Sequence, residues 1–162
     1  LLKVQFPIRY GGNIRVFIGN GKEPDVDKDL INKESEFFMK FKSMNENIDR
    51  WKIKKQKELN KINSKFGKIS AKAFPGRSAI LIKLLNLHEK NISKVFEKPG
   101  SMKIGYYVPG TRIPILSDDD FNLNEKKPIL NLAWHISDEI KKYLKKNGFK
   151  GEIIDIINSN DF

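Results

Sequence analysis

The sequence contains no cysteine. Disulfides, thiolate metal sites and cysteine nucleophiles are excluded with it, and nothing points to an oxidising compartment. No apolar run approaches the ~20 residues needed to span a bilayer, and no signal-peptide pattern opens the chain. A cytoplasmic setting without a membrane partner is therefore expected. Histidine is scarce, at two residues, His88 and His135, and no Ser/His/Asp or paired-carboxylate constellation surrounds them. Neither a G-x-G-x-x-G string nor a Walker loop occurs.

What is present fits one ordinary domain by length: 162 residues, 39% hydrophobic and 31% charged, too apolar for disorder and long enough to bury a core. The charge is one-sided. Lys and Arg number 31 against 20 Asp and Glu, for a net charge of +11 and a pI near 9.7. Such a balance favours an anionic partner. Residues 40–72 concentrate it, with eleven basic side chains against Glu46, Asp49 and Glu58. A solvated lysine-rich helix face explains this run without any partner; a polyanion-binding helix is the sharper alternative.

Two short apolar runs, Leu1–Phe6 and Ile14–Ile18, flank a Gly11-Gly12 pair and predict a β-hairpin. Opening on such a hairpin, with no polar lead-in, resembles the end of something larger. Beyond Gly21 the period becomes helical. Leu30, Phe37, Phe38 and Phe41 share a face after Pro24 and Asp25, and Asn45 and Asn47 are expected to interrupt the helix. A second stripe carries Ile48, Trp51, Leu59, Ile62 and Phe66, closed by Gly67. From Lys68 onward, strands at 68–74, 92–96, 128–134 and 152–157 alternate with helices at 78–87 and from Ser137 to Gly148. Strands alternating with single helices predict a parallel sheet with right-handed crossovers. The expected fold is α/β: a Rossmann-like, mostly parallel sheet flanked by helices, preceded by a β-hairpin and two long amphipathic helices. The expected organisation is a hairpin at 1–19, a helical connection at 20–66 and a Rossmann-like domain at 67–162.

Ligands of open α/β sheets bind beyond the carboxyl ends of the strands. Phe74-Pro75-Gly76-Arg77-Ser78 ends the first such strand and starts a helix, with a cation and a hydroxyl suited to phosphate. An ordinary strand–helix turn with Ser78 as N-cap accounts equally for these residues. The segment from Glu97 to Thr111 is long and holds two Pro-Gly pairs, which disfavours helix and marks it as a functional or packed surface loop. Ser117-Asp118-Asp119-Asp120 reads as a cap in preference to a metal site. His135 directly follows a strand at the ligand edge and is the better functional histidine, against the ordinary reading of a structural one. His88 ends a helix and is expected at the surface.

Several strings together resemble one known module. These are Lys68-Ile69 through Phe74-Pro75-Gly76-Arg77-Ser78, Glu97-Lys98-Pro99-Gly100-Ser101 with Lys103–Tyr106, Val108-Pro109-Gly110-Thr111-Arg112-Ile113-Pro114-Ile115, and Asn131-Leu132-Ala133-Trp134-His135-Ile136. They look like the C-terminal domain of the S-adenosylmethionine-dependent nucleotide-sugar C-methyltransferases, and Val4 to Ile18 resembles the last strand pair of the preceding methyltransferase domain. The resemblance implies a substrate-side domain that helps hold a nucleotide-diphosphate sugar through Pro75, Arg77, Ser78, Glu97, Lys98, Tyr106 and His135, with Arg77 and Ser78 meeting phosphate. It places the catalytic residues, S-adenosylmethionine and a structural zinc in preceding domains, so no cofactor or metal site is expected in these residues and they are expected to be inactive alone. The parent reaction it implies is methyl transfer to a carbon next to a ketone. Two departures stand out. Ala71, Ala73 and Ser78 occupy glycine positions of the family's turn, and Tyr10-Gly11-Gly12-Asn13 replaces its His-Gly-Gly-Ser string. Alternatives from other classes are a nucleic-acid module using the basic helix at 48–66, disfavoured because aromatics do not interleave with its lysines, and a homodimer formed by helices 26–66 through Phe37, Phe38, Phe41 and Trp51.

Overall fold

The computed structural model describes residues 1–7, 13–22, 28–158 and 161, with the side chain of Leu30 excepted. The expected Gly11-Gly12 turn, the altered Tyr10 position and the Pro24-Asp25 helix start lie outside the described residues. The chain divides into two compact units, Leu1–Ile48 and Asp49–Phe162.

In the first unit, β1 (Lys3–Gln5) and β2 (Arg15–Phe17) pair antiparallel, with Val4 opposite Val16. Helix α1 (Lys28–Ser35) is short, and α2 (Phe37–Phe66) is a single helix of 30 residues that continues into the second unit. The helix break therefore falls at Glu36, while Asn45 and Asn47 lie within α2. Asparagine costs only a few tenths of a kcal/mol more than the good helix formers, so two of them do not stop a helix of this length. Side-chain ion pairs one turn apart support it, among them Lys40–Glu36 at 2.8 Å and Lys55–Glu58 at 2.8 Å. Gly67 ends α2 at φ +71°, its N–H donating to the Asn63 carbonyl, as a C-terminal glycine should.

The second unit is a five-stranded parallel sheet. Its strands are β3 (Ile69–Lys72), β4 (Ile92–Glu97), β5 (Ile115–Ser117), β6 (Ile129–Asn131) and β7 (Ile153–Asp155), in spatial order β5-β4-β3-β6-β7. Helix α3 (Ser78–Leu84) connects β3 to β4, and α4 (Ser137–Lys146) connects β6 to β7. Period-two alternation divides the core into two layers. Ile69, Ala71, Leu130 and Leu132 face Trp51 and Leu59 of α2 and Ile82 of α3. Ile129 faces the other way, onto Leu144 of α4 and Phe149.

Strand β5 is absent from the expected set. Its three residues sit between Pro114 and three aspartates, too short a run for local alternation to register. Pairing with β4 makes it a strand, Val95 opposite Ile115 and Glu97 opposite Ser117. The strand expected to run through Trp134 stops at Asn131, and a 3-10 turn takes up Trp134–Ile136.

Trp51 is 1% exposed, and its indole N–H has no hydrogen-bond partner among the described residues. It serves the core by volume, not polarity. Trp51→Ala is expected to destabilise the chain by about 3–5 kcal/mol in urea unfolding. Trp51→Phe, which keeps an aromatic ring and removes an unsatisfied donor, is expected to cost markedly less.

Candidate functional site at the carboxyl edge

Strands β3 and β6 are neighbours, with Ser70 opposite Ile129 and Lys72 opposite Asn131. Their helices leave to opposite faces, α3 to one core layer and α4 to the other. Diverging crossovers open a crevice beyond the carboxyl ends of the two central strands, the general ligand position of doubly wound sheets. One wall is the segment Ala73–Ser78, the other Leu132–His135.

The first wall is tightly fixed. Ala73 has φ +57° and donates its N–H to the Phe96 carbonyl at 2.8 Å. That left-handed conformation costs an L-residue with a β-carbon roughly 1–2 kcal/mol, so Ala73 occupies a backbone position that suits the glycine of the resembled turn. The Phe74 N–H donates to Glu97 Oε1 at 2.7 Å, while Lys103 Nζ bridges that same oxygen at 3.2 Å and the Phe74 carbonyl. Glu97 is thereby a tie between the end of β4 and the turn after β3. Ser78 is fully buried, and its hydroxyl donates to the Leu132 carbonyl at 2.7 Å. This residue pins the start of α3 to the end of β6.

On the second wall, Asn131 is fully buried at the end of β6. Its Oδ1 accepts from the Ala133 N–H at 3.0 Å, and its Nδ2 donates to Asp155 Oδ1 at 2.7 Å. Asp155 also accepts from Ser137 Oγ at 2.7 Å and from Lys141 Nζ at 2.6 Å. Burial pushes the Asp155 carboxyl up, but the hydrogen bonds from Lys141, Ser137 and Asn131 together with the Lys141 charge hold it below its ordinary value. The carboxylate thus locks α4 against β6 and β7 and shapes the turn that presents Trp134 and His135.

The two walls meet through their side chains. The Arg77 guanidinium lies over the Trp134 ring, 5.9 Å from its centroid, and Trp134 meets His135 edge to face at 5.4 Å. Burial lowers the His135 pKa first and the Arg77 charge lowers it further, against the opposing pull of Glu139. An exposed cation, an aromatic face and an imidazole of lowered pKa thus lie together at the carboxyl edge.

The remaining expected residues divide. Pro75 lies on the same turn as Arg77, half-buried, and exposed Lys98 directly follows Glu97 at the rim. Tyr106 is placed apart. Its carbonyl accepts the Ile115 N–H at 2.8 Å, on the outer side of β5, about three strand spacings of ~4.8 Å from β3. Asp118 forms a buried ion pair, with Lys72 Nζ at 2.6 Å from both carboxylate oxygens and Tyr143 donating to Oδ2 at 3.0 Å. Ser117 caps the 3-10 turn Asp118–Asp120 by accepting from the Asp119 N–H. Among the described residues no cluster of three His, Cys, Asp or Glu could hold a metal, and no helix is long and apolar enough to cross a membrane. Trp134, Asn131, Asp155 and Lys103 join the site without standing among the residues expected from the sequence. A polar residue interrupting an apolar run, as at Asn131 and again at Asp155, is the available signal for two of them.

A family model described as the C-methyltransferase C-terminal domain matches residues 9–155. The chain belongs to this family. No curated protein matches it significantly. The Rossmann-like sheet is thus the fold of a methyltransferase-associated domain.

Because burial and Arg77 both favour neutral His135, its titration midpoint in NMR is expected below the ordinary value of 6.5. Arg77→Gln should raise the midpoint without restoring it fully, since burial is the larger cause. A depressed histidine pKa in the folded state adds stability above pH 6.5 that declines as the pH falls through the folded midpoint.

Proposed function

We propose that this chain is the substrate-side domain of an S-adenosylmethionine-dependent sugar C-methyltransferase, holding a nucleotide-diphosphate sugar at the β3/β6 crevice. The observation that carries the reading is the convergence of Arg77, Trp134 and His135 there, in a chain of the C-methyltransferase C-terminal domain family. Arg77 offers a planar set of donors for diphosphate oxygens, the Trp134 face can stack a flat base or a sugar's C–H surface, and neutral His135 can hydrogen-bond a sugar hydroxyl. Pro75 and Lys98 border the same edge. Ser78 and Glu97 act on this reading as scaffold for the crevice, since their side chains bond to the Leu132 carbonyl and the Phe74 N–H. The net charge of +11 draws a dianionic substrate toward the domain.

The donor S-adenosylmethionine, the base that forms the substrate enolate and a structural zinc belong on this reading to preceding domains of one cytoplasmic polypeptide. The described residues contribute binding and orientation.

The thermal midpoint of the chain, followed against thymidine, uridine, guanosine and cytidine diphosphates, tests the reading. One of them, at about a hundredfold excess over its Kd, should stabilise by about 2.7 kcal/mol, or roughly 5–10 °C for a chain of this size. Arg77→Ala, at an exposed position, should abolish the shift and leave the ligand-free midpoint near wild type. Stabilisation by a DNA oligomer alone would overturn the assignment.

A second reading, homodimerisation through the first unit, is favoured by one observation. Phe37, Phe38, Met39 and Phe41 are each at least half exposed on α2, and Phe37 stacks with Phe41 at 6.0 Å. Trp51 takes no part, being buried in the second unit. Light scattering should then show a mass that doubles with concentration and that Phe38→Ser reduces to the monomer; a monomeric wild type at all concentrations sinks this reading.

A further inference from the structure

A separate cleft runs along α3, from Ala79 and Ile80 in its first turn to His88 beyond its end. Helix α3 starts at the carboxyl edge, and its far end leads through His88 to the start of β4. Thr111 likewise leads to the start of β5. Between these two segments is a cleft of about 570 Å³ floored by Ile82 and Leu87, with Ile80 and Pro109 at its sides and Lys83 and His88 at its polar rim. This volume falls within the ~300–1,000 Å³ typical of small-molecule sites.

Both walls are held in place by hydrogen bonds of their own. Asn86 adopts φ +52° and ends α3, with its N–H on the Lys83 carbonyl at 3.0 Å and the Leu87 N–H on the Ile82 carbonyl at 2.9 Å. Opposite, Val108-Pro109-Gly110-Thr111 forms a type II turn. Gly110 has φ +77°, and the Thr111 N–H donates to the Val108 carbonyl at 3.0 Å. The Thr111 hydroxyl also donates to that carbonyl, at 2.9 Å, and accepts the Ile113 N–H at 3.1 Å. Val108 and Ile113 anchor the turn in the core, each fully buried. Prefixed walls spare a ligand the ordering cost that flexible loops impose.

The polar rim selects charge. Lys83 has no ion pair among the described residues. His88 accepts the Lys90 N–H on Nδ1 at 3.2 Å, so the neutral ring carries its proton on Nε2 as a donor. The neighbouring acid Glu89 is engaged by its own backbone N–H, by that of Arg112 and by the Arg112 and His88 charges, which leaves Lys83 as the cation of this rim that is open to a ligand.

We propose that this cleft binds a small amphipathic anion, a flat apolar body bearing one carboxylate, with the body on Ile82 and Leu87 and the carboxylate on Lys83 and His88 Nε2. The proposal is independent of the nucleotide-sugar reading, since it uses no residue of the crevice.

Amide NMR of the full chain, titrated to millimolar concentrations of 2-naphthoate or its uncharged counterpart 2-naphthamide, tests it. Naphthoate should shift the amides of residues 80–88 and 110–111 and bind about tenfold tighter than naphthamide, the increment of one charge-assisted contact. Lys83→Gln, at an exposed position, should bring the two probes within about twofold while the amides shifted by naphthamide stay the same. Absence of shifts at these amides overturns the proposal, as does equal affinity of the two probes for the wild type or a preference that survives Lys83→Gln. The spectrum of free Lys83→Gln shows whether its fold is retained.

Discussion

The Leu132 carbonyl accepts a hydrogen bond from the Ser78 hydroxyl at 2.7 Å, in a place no water reaches. That bond joins the start of α3 to the end of β6, the two points at which the chain departs to opposite faces of the sheet. Its partner is the Leu132 N–H, which donates to the Lys72 carbonyl at 3.0 Å and continues the β3–β6 ladder one residue past its regular end. Leaving a buried carbonyl unpaired costs about 1–3 kcal/mol, so the hydroxyl is a structural requirement of this version of the fold. A glycine at this position in the resembled turn brings no such donor. The serine therefore exchanges close backbone approach for a side-chain clasp, and the mouth of the crevice, with Arg77 on one lip and Trp134 on the other, is set by it.

Two charged networks flank this clasp, and each settles a lysine in a place lysines avoid. Lys72 and Asp118 have side chains 4% and 7% exposed. Such a pair is tolerable only because its remaining valences are met: both carboxylate oxygens face the ammonium, Tyr143 donates to one of them, and the Tyr143 ring receives the cation at 5.1 Å. Burial, followed by the hydrogen bond to Asp118, pushes the Tyr143 hydroxyl up, which keeps it a donor. On the α2 side, Lys55 is equally buried and bonds to the Asp155 carbonyl at 3.1 Å and to Glu58. Asp155 is consequently held by its main chain from one layer and by its side chain from the other.

Much of this was legible from residues alone. The apolar runs 92–96 and 128–134 and the alternation of strands with helices announce a parallel sheet, and the rule that ligands sit beyond strand ends is enough to select Arg77 and His135. What escaped depends on contacts distant in sequence. Strand β5 exists through β4 and has no local pattern. The break at Glu36 leaves no compositional mark, whereas the asparagines that carry one are absorbed by a long helix. The position of Glu97 at a strand end marks it as an edge residue, but nothing in its neighbours reveals that its carboxylate turns inward to the Phe74 N–H. Trp134 reaches Arg77 because the chain turns as a 3-10 segment after Asn131, and an apolar strand reading carries it past that turn.

The segment 105–108 returns antiparallel along β5, with the Gly105 N–H on the Ile115 carbonyl, the Ile115 N–H on Tyr106 and the Val108 N–H on Ile113. An edge strand ordinarily offers its free amides and carbonyls as a template for another chain. Here that side of β5 is closed by the protein's own backbone, a return bounded by Gly105 and Gly110, both at positive φ. Self-association by strand addition is thereby blocked along β5. The opposite border is β7, three residues long, which offers too few amides to seed a growing sheet. Among the described residues, the five-stranded sheet thus leaves little free backbone at either border, independently of its charge.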